Sequence, residues 1–395
     1  MKIESIRLKN FKSFKNVEIR NIPKLCVLVG ANGAGKSSFF SVFGFLKDAF
    51  IGNINSALAK LGGARGFEEV MSRGSSGYIE IELKFRAAPA RPLITYFLQI
   101  GKKGGRAVVE REVLKYRRGS KGQPWHFLDF SLGEGSAVTN EIESVKDEND
   151  LKREKQRLKS PDILAVKGLA QFERFPAVME LGNLIENWHI SDFHINRARE
   201  EQKAGYAEHL SVEGENLRLV LQWLYQNDRG VFDKILSIMK NRIPGIIDVD
   251  AKTNDEGWVL LRFKDEAFTD PFLSQYVSDG TIKMLAYLTL LYDPKPFPLL
   301  CVEEPENQLY PTLLWELVEE FRAYANRGGQ VFVSTHSPDF LNALNLEEVF
   351  WLEKENGYAQ IKRASDDEQI AAYMRDGDQM GHLWKEGFFG KVSPE

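Results

Sequence analysis

The chain has 395 residues, 43% apolar and 27% charged, with 52 basic against 56 acidic side chains and a formal charge of −4. This excludes a disordered polar chain and a polycation, so any nucleic-acid contact must come from a local patch. Cys26 and Cys301 both lie in apolar runs of strand length and read as buried reduced thiols, not a disulfide framework. No signal peptide is visible at Met1-Lys2-Ile3-Glu4 and no uncharged apolar run approaches about 18 residues, so a cytoplasmic protein without a membrane partner is expected.

Taken in order, Ile3–Leu8 alternates apolar and polar and predicts a half-buried strand, followed by Asn10-Phe11-Lys12-Ser13-Phe14 and a short strand at Val17–Ile19. Leu25–Val29 is a continuous apolar strand, and Ser38–Asp48 reads as a helix. Between them Gly30-Ala31-Asn32-Gly33-Ala34-Gly35-Lys36-Ser37 fits G-x-x-x-x-G-K-[ST], the phosphate-binding P-loop. Glycines let the backbone turn its N–H groups toward phosphate, and the helix N-terminus adds partial positive charge. Lys36 is placed to reach the β- and γ-phosphates and the Ser37 hydroxyl to coordinate Mg²⁺. The sequence thus predicts binding of ATP or GTP.

Residues 53–72 look helical. Tyr78–Phe85 has period 2, and Leu93–Ile100 with Val108–Tyr116 forms a hairpin pattern around Gly101–Gly105. Gly119–Pro124 reads as a loop and Glu141–Lys159 as one or two solvated helices. The cations Lys152, Arg153, Lys155, Arg157 and Lys159 make a candidate nucleic-acid patch that interleaved Asp and Glu weaken. A buried strand is expected at Trp188–Ile190 and a loop at Asn196–Arg199. Helices follow at Glu215–Asn227 and Val231–Asn241, then strands at Ile246–Asp250 and Trp258–Phe263 around an Asn254–Gly257 turn.

The chemistry crowds again after residue 276. Ser278-Asp279-Gly280 precedes an apolar helix at Thr281–Tyr292. The buried strand Pro298–Val302 ends in Glu303-Glu304-Pro305-Glu306-Asn307, and a helix spans Thr312–Ala325. The strand Gln330–Ser334 then ends in Thr335-His336-Ser337-Pro338. Singly, Ser-Asp-Gly is a common turn and cap, and a lone His after a strand is often structural. Together, carboxylates and a His at the carboxyl ends of successive buried strands lie where open α/β sheets place ligands.

In order, these motifs resemble the ABC-type ATPase head of the SMC and RecF group. They are a Walker A at Gly30–Ser37, a signature-like Val277–Thr281, a Walker B at Leu299–Glu304, a D-loop-like Glu306-Asn307-Gln308-Leu309 and a switch His336. The chain is similar in particular to bacterial single-chain AAA/ABC ATPases related to OLD-family heads. Asn10–Phe14 resembles the N-terminal motif of that group. The resemblance implies an α/β P-loop NTPase of ABC-ATPase type, a mixed central sheet with an antiparallel β lobe and a helical insertion. It divides the chain into a first half-head over 1–116, a helical arm over 117–245 and a second half-head over 246–395.

It also implies roles. Lys12, Ser13, Gly30, Asn32, Gly33, Ala34, Gly35, Lys36, Ser37 and Ser38 would bind ATP, with Ser37 and Glu303 holding Mg²⁺. Glu304 would be the general base, His336 would contact the γ-phosphate and Lys36 would assist. Ser278, Asp279 and Gly280 would contact ATP held by a second copy, with Glu306 and Asn307 in the D-loop. Two copies would therefore close head-to-tail around ATP, as a homodimer or higher assembly. Two departures stand out: the signature carries Asp279 where Gly is usual, and of the γ-phosphate-sensing glutamine candidates, Gln99 and Gln171, neither has a decisive context.

No long coiled coil fits, and the roughly 59 residues after His336 are too few for a Toprim nuclease domain. The expectation is an ATPase subunit regulating a separately encoded effector, a nuclease in anti-phage defence or DNA repair, with DNA a candidate partner. The alternative is a RecF-like ATP-dependent DNA clamp or sensor. A transporter subunit is disfavoured by the N-terminal motif, and a GTPase by the missing Asn-Lys-x-Asp. Asp366-Asp367 and Asp376–Asp378 read as solvated loops.

Overall fold

Apolar residues at every second position of β4 (Ile79–Arg86) and β5 (Ile94–Lys103) turn one face of each strand inward, whereas β1 (Lys2–Phe11) shifts register between Ile3 and Ser5 before Ile6 and Leu8 point to the core. The computed structural model describes residues 2–117, 123–140 and 147–390. Residues 119–122 of the expected loop, and Ile142 and Val145 of the charged stretch, lie outside them. The chain forms two compact units, Met1–Trp188 with Asn345–Glu395, and His189–Leu344. Both boundaries drawn from the sequence, after 116 and after 245, fall inside a unit.

In the first unit β1, β2 (Phe14–Arg20), β4, β5, β6 (Arg106–Tyr116), β7 (Trp125–Ser131), β8 (Glu134–Val138) and β9 (Arg153–Arg157) build an eight-stranded sheet. Its order is β2-β1-β4-β5-β6-β7-β8-β9, and its pairings are antiparallel. This is the β lobe, and it runs further than the sequence suggested. The helices expected in Glu141–Lys159 are a misreading: among the described residues, Glu148–Asp150 make a single 3-10 turn and Arg153–Arg157 an edge strand. An edge strand buries neither face fully, so Arg153, Lys155 and Arg157 can alternate outward without any apolar signature. Arg153 pairs with Glu148 and Arg157 with Glu134, which takes charge away from the candidate nucleic-acid patch.

The strand β3 (Leu25–Val29) is buried at every position and runs parallel to β17 (Val349–Glu355), which pairs antiparallel with β18 (Tyr358–Arg363). Helix α1 (Lys36–Ile51) carries Phe39, Phe40, Phe43 and Phe45, all essentially buried. Phe14 meets Phe39 edge-on at 6.3 Å between centroids, Phe11 meets Phe45 at 6.1 Å and Phe43 meets Trp188 at 5.4 Å. Phe11 and Phe14 are both fully buried, so each contributes roughly 1.5–3 kcal/mol to docking the β1–β2 turn on α1.

The remaining helices of this unit are α2 (Ile54–Gly62), α3 (Gly66–Val70), α4 (Ala165–Leu169), α5 (Pro176–Glu186), α12 (Glu368–Asp376) and α13 (Met380–Lys385). Glu112 of β6 is fully buried and accepts the Tyr96 hydroxyl at 3.0 Å and the Ala165 and Val166 amides at 2.5 and 3.1 Å. Burial pushes its carboxyl up to about 7. Asp367 is not a free loop acid: its carboxylate caps α12 through the amides of Gln369 and Ile370.

The second unit contains β10 (Trp188–Ser191), β15 (Leu299–Glu303) and β16 (Gln330–Thr335), with β15 between the other two and parallel to β16. A small sheet joins β11 (Gln202–Lys203), β13 (Trp258–Asp265) and β12 (Ile246–Thr253), with β14 (Phe272–Leu273) paired to β13. The hairpin β12–β13 turns where expected. Asn254 Oδ1 accepts the Trp258 amide at 2.8 Å, and Gly257 takes φ 85°. Asn196–Arg199, expected as a loop, forms most of a short helix, α6 (Ile195–Ala198). Helices α7 (Leu217–Asn227), α8 (Arg229–Arg242) and α10 (Pro311–Asn326) pack with α9 (Asp279–Leu291), which is buried from Thr281 to Leu291, and α11 (Pro338–Asn342) packs on α10. Cys26 and Cys301 are buried free thiols, as the sequence indicated.

Candidate functional site

Val29 ends β3, and the chain reverses through residues 30–35 into α1. Gly33 takes φ 77° and Gly35 φ 118°, left-handed backbone that L-residues rarely adopt. Gly35 is also hemmed in. A Cβ there would lie 2.9 Å from both Ala359 Cβ and Ser13 Oγ, and one on Gly30 would lie 3.0 Å from the Leu352 carbonyl oxygen. The first turn of α1 carries no acidic residue and no side-chain cap, so nothing on the helix itself offsets the partial positive charge of its N-terminus. Lys36 Nζ donates to the Gly30 carbonyl at 2.7 Å and the Ala31 carbonyl at 3.4 Å, which holds the ammonium over the loop. Lys36 and Ala34 are buried, whereas Asn32, Gly33 and Ser37 are exposed and Ser38 is half-buried. This is a loop shaped to take phosphate on its outer, glycine-lined side.

The N-terminal motif adjoins that loop. Asn10 (φ 56°) and Lys12 (φ 49°) turn the chain between β1 and β2, and the Lys12 amide donates to Val70 O at 2.6 Å. Asn10 Nδ2 braces the turn on the Tyr78 carbonyl at 2.9 Å. Ser13, whose buried hydroxyl has no hydrogen-bond partner among the described residues, stands against Gly35. Ser13 is therefore brought to the loop, and its main-chain carbonyl accepts the Ala359 amide at 2.8 Å.

In the second unit, the carboxyl end of β15 gathers the predicted acids. Glu303 pairs in register with Ser334 of β16. Glu304 takes φ 44° and Gln308 φ 67°, two non-glycine left-handed positions in one turn, each costing about 1–3 kcal/mol. The Glu304 amide is anchored on Ser334 O at 2.9 Å. His336 Nδ1 lies 3.3 Å from Glu304 Oε1 and 3.5 Å from Glu306 Oε1. Glu306 is nearly buried; its Oε1 accepts the Thr335 hydroxyl at 2.7 Å and the His336 amide at 2.9 Å, while Oε2 has no hydrogen-bond partner among the described residues. Asn307 Nδ2 donates to Glu304 Oε2 at 3.3 Å. Glu304, Glu306, Asn307 and His336 thus form one hydrogen-bonded group, with Glu304 and His336 partly open to solvent.

Ser278 caps α9, accepting the Thr281 amide at 3.3 Å. Gly280 fits closely there: a Cβ added to it would sit 3.0 Å from the Gln308 carbonyl oxygen. The acid at Asp279 is answered by Arg199, whose guanidinium lies 2.7 Å from the carboxylate and also donates to the Ser274 and Val277 carbonyls at 2.6 and 2.5 Å. Arg218, buried, holds the Arg199 carbonyl at 2.8 Å and the Ser274 hydroxyl at 3.1 Å. Neither Arg218 nor Lys283 carries a role in the sequence motifs, although Lys283 is the one cation in the apolar run Thr281–Tyr292. Gln99 lies in the β lobe with its amide on Glu80 at 3.1 Å, and Gln171 is exposed after α4.

Among the described residues no group of three or more His, Cys, Asp or Glu is placed to hold a metal ion; of the two predicted ligands, Ser37 carries a hydroxyl and Glu303 a carboxylate, the oxygen donors that Mg²⁺ takes. Among the described residues no helix is long and apolar enough to cross a membrane.

The model of a protein family described as "AAA domain, putative AbiEii toxin, Type IV TA system" matches residues 25–342. A curated relative, the ATP/GTP phosphatase of Helicobacter pylori, is 46% identical over 44 residues, covering 11% of this chain and 12% of that protein. The chain therefore matches only a small part of that relative's length. Among solved structures, an SMC head bound to the C-winged helix domain of ScpA is 14% identical at a TM-score of 0.54, over 92% of this chain and 97% of that one. An Smc head with an extended coiled coil, bound to the C-terminal domain of ScpA derived from Pyrococcus furiosus, is 13% identical at 0.53, over 94% and 99%. These likenesses establish the fold as an α/β P-loop head of SMC type.

Proposed function

The chain belongs to the family described as AAA domain, putative AbiEii toxin, Type IV TA system, an ATPase of AAA and SMC-head type, and we propose that it hydrolyses ATP to ADP and phosphate while two copies close head-to-tail around the nucleotide. The observation that carries this reading is the residue 30–36 loop, with two left-handed glycines and a lysine heading an uncapped helix. In the proposal, the loop amides, Asn32, Lys36, Ser37 and Ser38 grip the triphosphate, and Lys12 and Ser13 border it. Mg²⁺, held by Ser37 and Glu303, would neutralise phosphate charge. Glu304 then accepts the proton of the attacking water as general base, oriented by Asn307 and His336. Ser278 and the amides of Asp279 and Gly280 meet the γ-phosphate of ATP on the second copy, where a helix N-terminus favours an anion.

ATP occupancy then governs association, and hydrolysis shifts the population toward separated heads. The output is exerted on a separately encoded effector in the cytoplasm, with a nuclease of anti-phage defence or DNA repair the favoured candidate. Two features support a partner-regulating role. The family is described by a toxin–antitoxin system, and the similar SMC heads were solved bound to ScpA domains. DNA itself is a weaker candidate, since the exposed cations of β9 are largely paired.

The test is ATP hydrolysis by the wild type, Lys36→Ala and Glu304→Gln, with capture of partners on the Glu304→Gln chain in ATP. Loss of turnover in both variants, with nucleotide binding kept only in Glu304→Gln, supports the reading. Full turnover in Glu304→Gln refutes the base assignment, and DNA cleavage by the purified chain alone refutes a separate nuclease.

A further inference from the structure

The signature helix is joined to the carboxylate cluster of its own copy by a side chain with no assigned role. Lys283 lies one turn into α9 and is buried, yet its ammonium donates to the main-chain carbonyl of Asn307 at 2.6 Å. A second contact lies alongside, where Gly280 packs so near the Gln308 carbonyl that a Cβ would lie only 3.0 Å from its oxygen. Asn307 in turn holds Glu304 twice: its side-chain amide donates to Glu304 Oε2 at 3.3 Å and its main-chain N–H to Glu304 O at 3.2 Å. The turn so clasped contains both left-handed non-glycine residues, Glu304 and Gln308, and would relax if released.

An ammonium buried this deeply is costly unless charge surrounds it. The acids facing Lys283 are Glu306 and Glu304 of the β15 turn and Asp192 beyond β10, while burial draws its own affinity for a proton down to about 8. An apolar residue would fill the same volume at less cost, since α9 is otherwise apolar from Ile282 to Leu291 apart from Thr289 and Tyr287. The lysine therefore contributes something other than packing.

We infer that Lys283 is a positioning residue for hydrolysis: by pinning Asn307 it fixes the direction of the Glu304 carboxylate and ties it to the helix that begins at Ser278. The inference rests on the proposed role of Glu304 as base and adds a coupling to it. A triphosphate meeting the Ser278 turn from a second copy displaces α9, and Lys283 carries that displacement to the base of the copy that owns the turn. Each site thus fires only when its copy is engaged at the other.

The test uses the full chain and three variants, Lys283→Met, Lys283→Arg and Asn307→Ala, measured for kcat, KM and affinity for a fluorescent ATP analogue. Lys283→Met matches the lysine in length without its charge. Its kcat is expected to fall at least tenfold with KM and analogue affinity within about threefold, and Lys283→Arg to recover most of the loss. Asn307→Ala keeps the carbonyl but removes the amide on Glu304; its kcat falls similarly, and the double variant with Lys283→Met is no worse than either alone. Wild-type kcat in Lys283→Met overturns the inference, as does a parallel loss of kcat and analogue affinity that arginine does not repair. If Lys283→Met does not fold, Asn307→Ala decides, since an unchanged kcat there breaks the link. A wild type that turns over ATP and a dead Glu304→Gln alongside an unaffected Lys283→Met would remove only this inference; an active Glu304→Gln would remove the reading beneath it.

Discussion

Replacing Gly35 by alanine tests the phosphate loop where its geometry is least forgiving. The residue stands at φ 118°, so an L side chain costs about 1–3 kcal/mol in backbone strain alone. The new Cβ would also meet Ala359 Cβ and Ser13 Oγ, both at 2.9 Å. Ser13 can rotate its hydroxyl away, but Ala359 has no rotamer to change and sits on β18, so the steric part adds about 1–2 kcal/mol. The sum is about 3 kcal/mol, which for a unit of this size corresponds to a fall in Tm of about 6–12 °C. Differential scanning calorimetry with and without ATP measures it, beside nucleotide affinity, which should drop at least tenfold as the loop amides shift. Gly35→Ala combined with Ala359→Gly should recover the steric share and leave the backbone share. A Gly35→Ala chain with unchanged Tm and affinity would refute the reasoning, and a double variant no better than the single one would refute its steric half.

Gly280→Ala pushes α9 off the Gln308 carbonyl oxygen 3.0 Å away; turnover should fall at least tenfold with nucleotide affinity preserved, as steady-state kinetics and an analogue titration would show. Glu112 has its carboxyl raised to about 7 by burial, so the stability it lends is full at pH values below its ordinary range and is lost as pH rises through 7. Denaturant melts should show the wild type losing up to about 3 kcal/mol more than Glu112→Gln between pH 5 and pH 9, and parallel curves would contradict this. Asp279→Asn removes the partner of Arg199, but the guanidinium keeps the Ser274 and Val277 carbonyls. Its Tm should move by less than about 4 °C, since exposed ion pairs contribute at most about 1 kcal/mol. Native Cys26 and Cys301 should resist thiol reagents until the chain unfolds, because both are buried and burial pushes the Cys26 thiol up.

The parts of this molecule that could be read from sequence are those where one local rule decides. β3 and the first four residues of β15 are buried, so their uninterrupted apolar runs announced them, and the glycines of the phosphate loop are demanded by backbone angles that few other residues reach. What could not be read depends on distant partners. β9 has no apolar face because it lies on the edge of its sheet, so its charges looked like those of a solvated helix. The left-handed turn at Glu304 follows from an anchor on Ser334, thirty residues onward, which no local pattern reveals. Asp279 looked like an unfavourable acid beside phosphate until Arg199, distant in the chain, was found against it. Lys283 stands out in the sequence as a lone cation in an apolar helix, but its partner, the Asn307 carbonyl, lies 24 residues onward.

The central claim is that nucleotide held by one copy is completed by the Ser278 turn of another. Sedimentation of Glu304→Gln across a range of protein concentrations, with and without saturating ATP, addresses it most directly. The account predicts dimers in ATP, monomers without it, and no ATP-dependent dimer once Ser278→Arg is added. A chain that stays monomeric in ATP while the wild type turns over at full speed at the same dilution would contradict it.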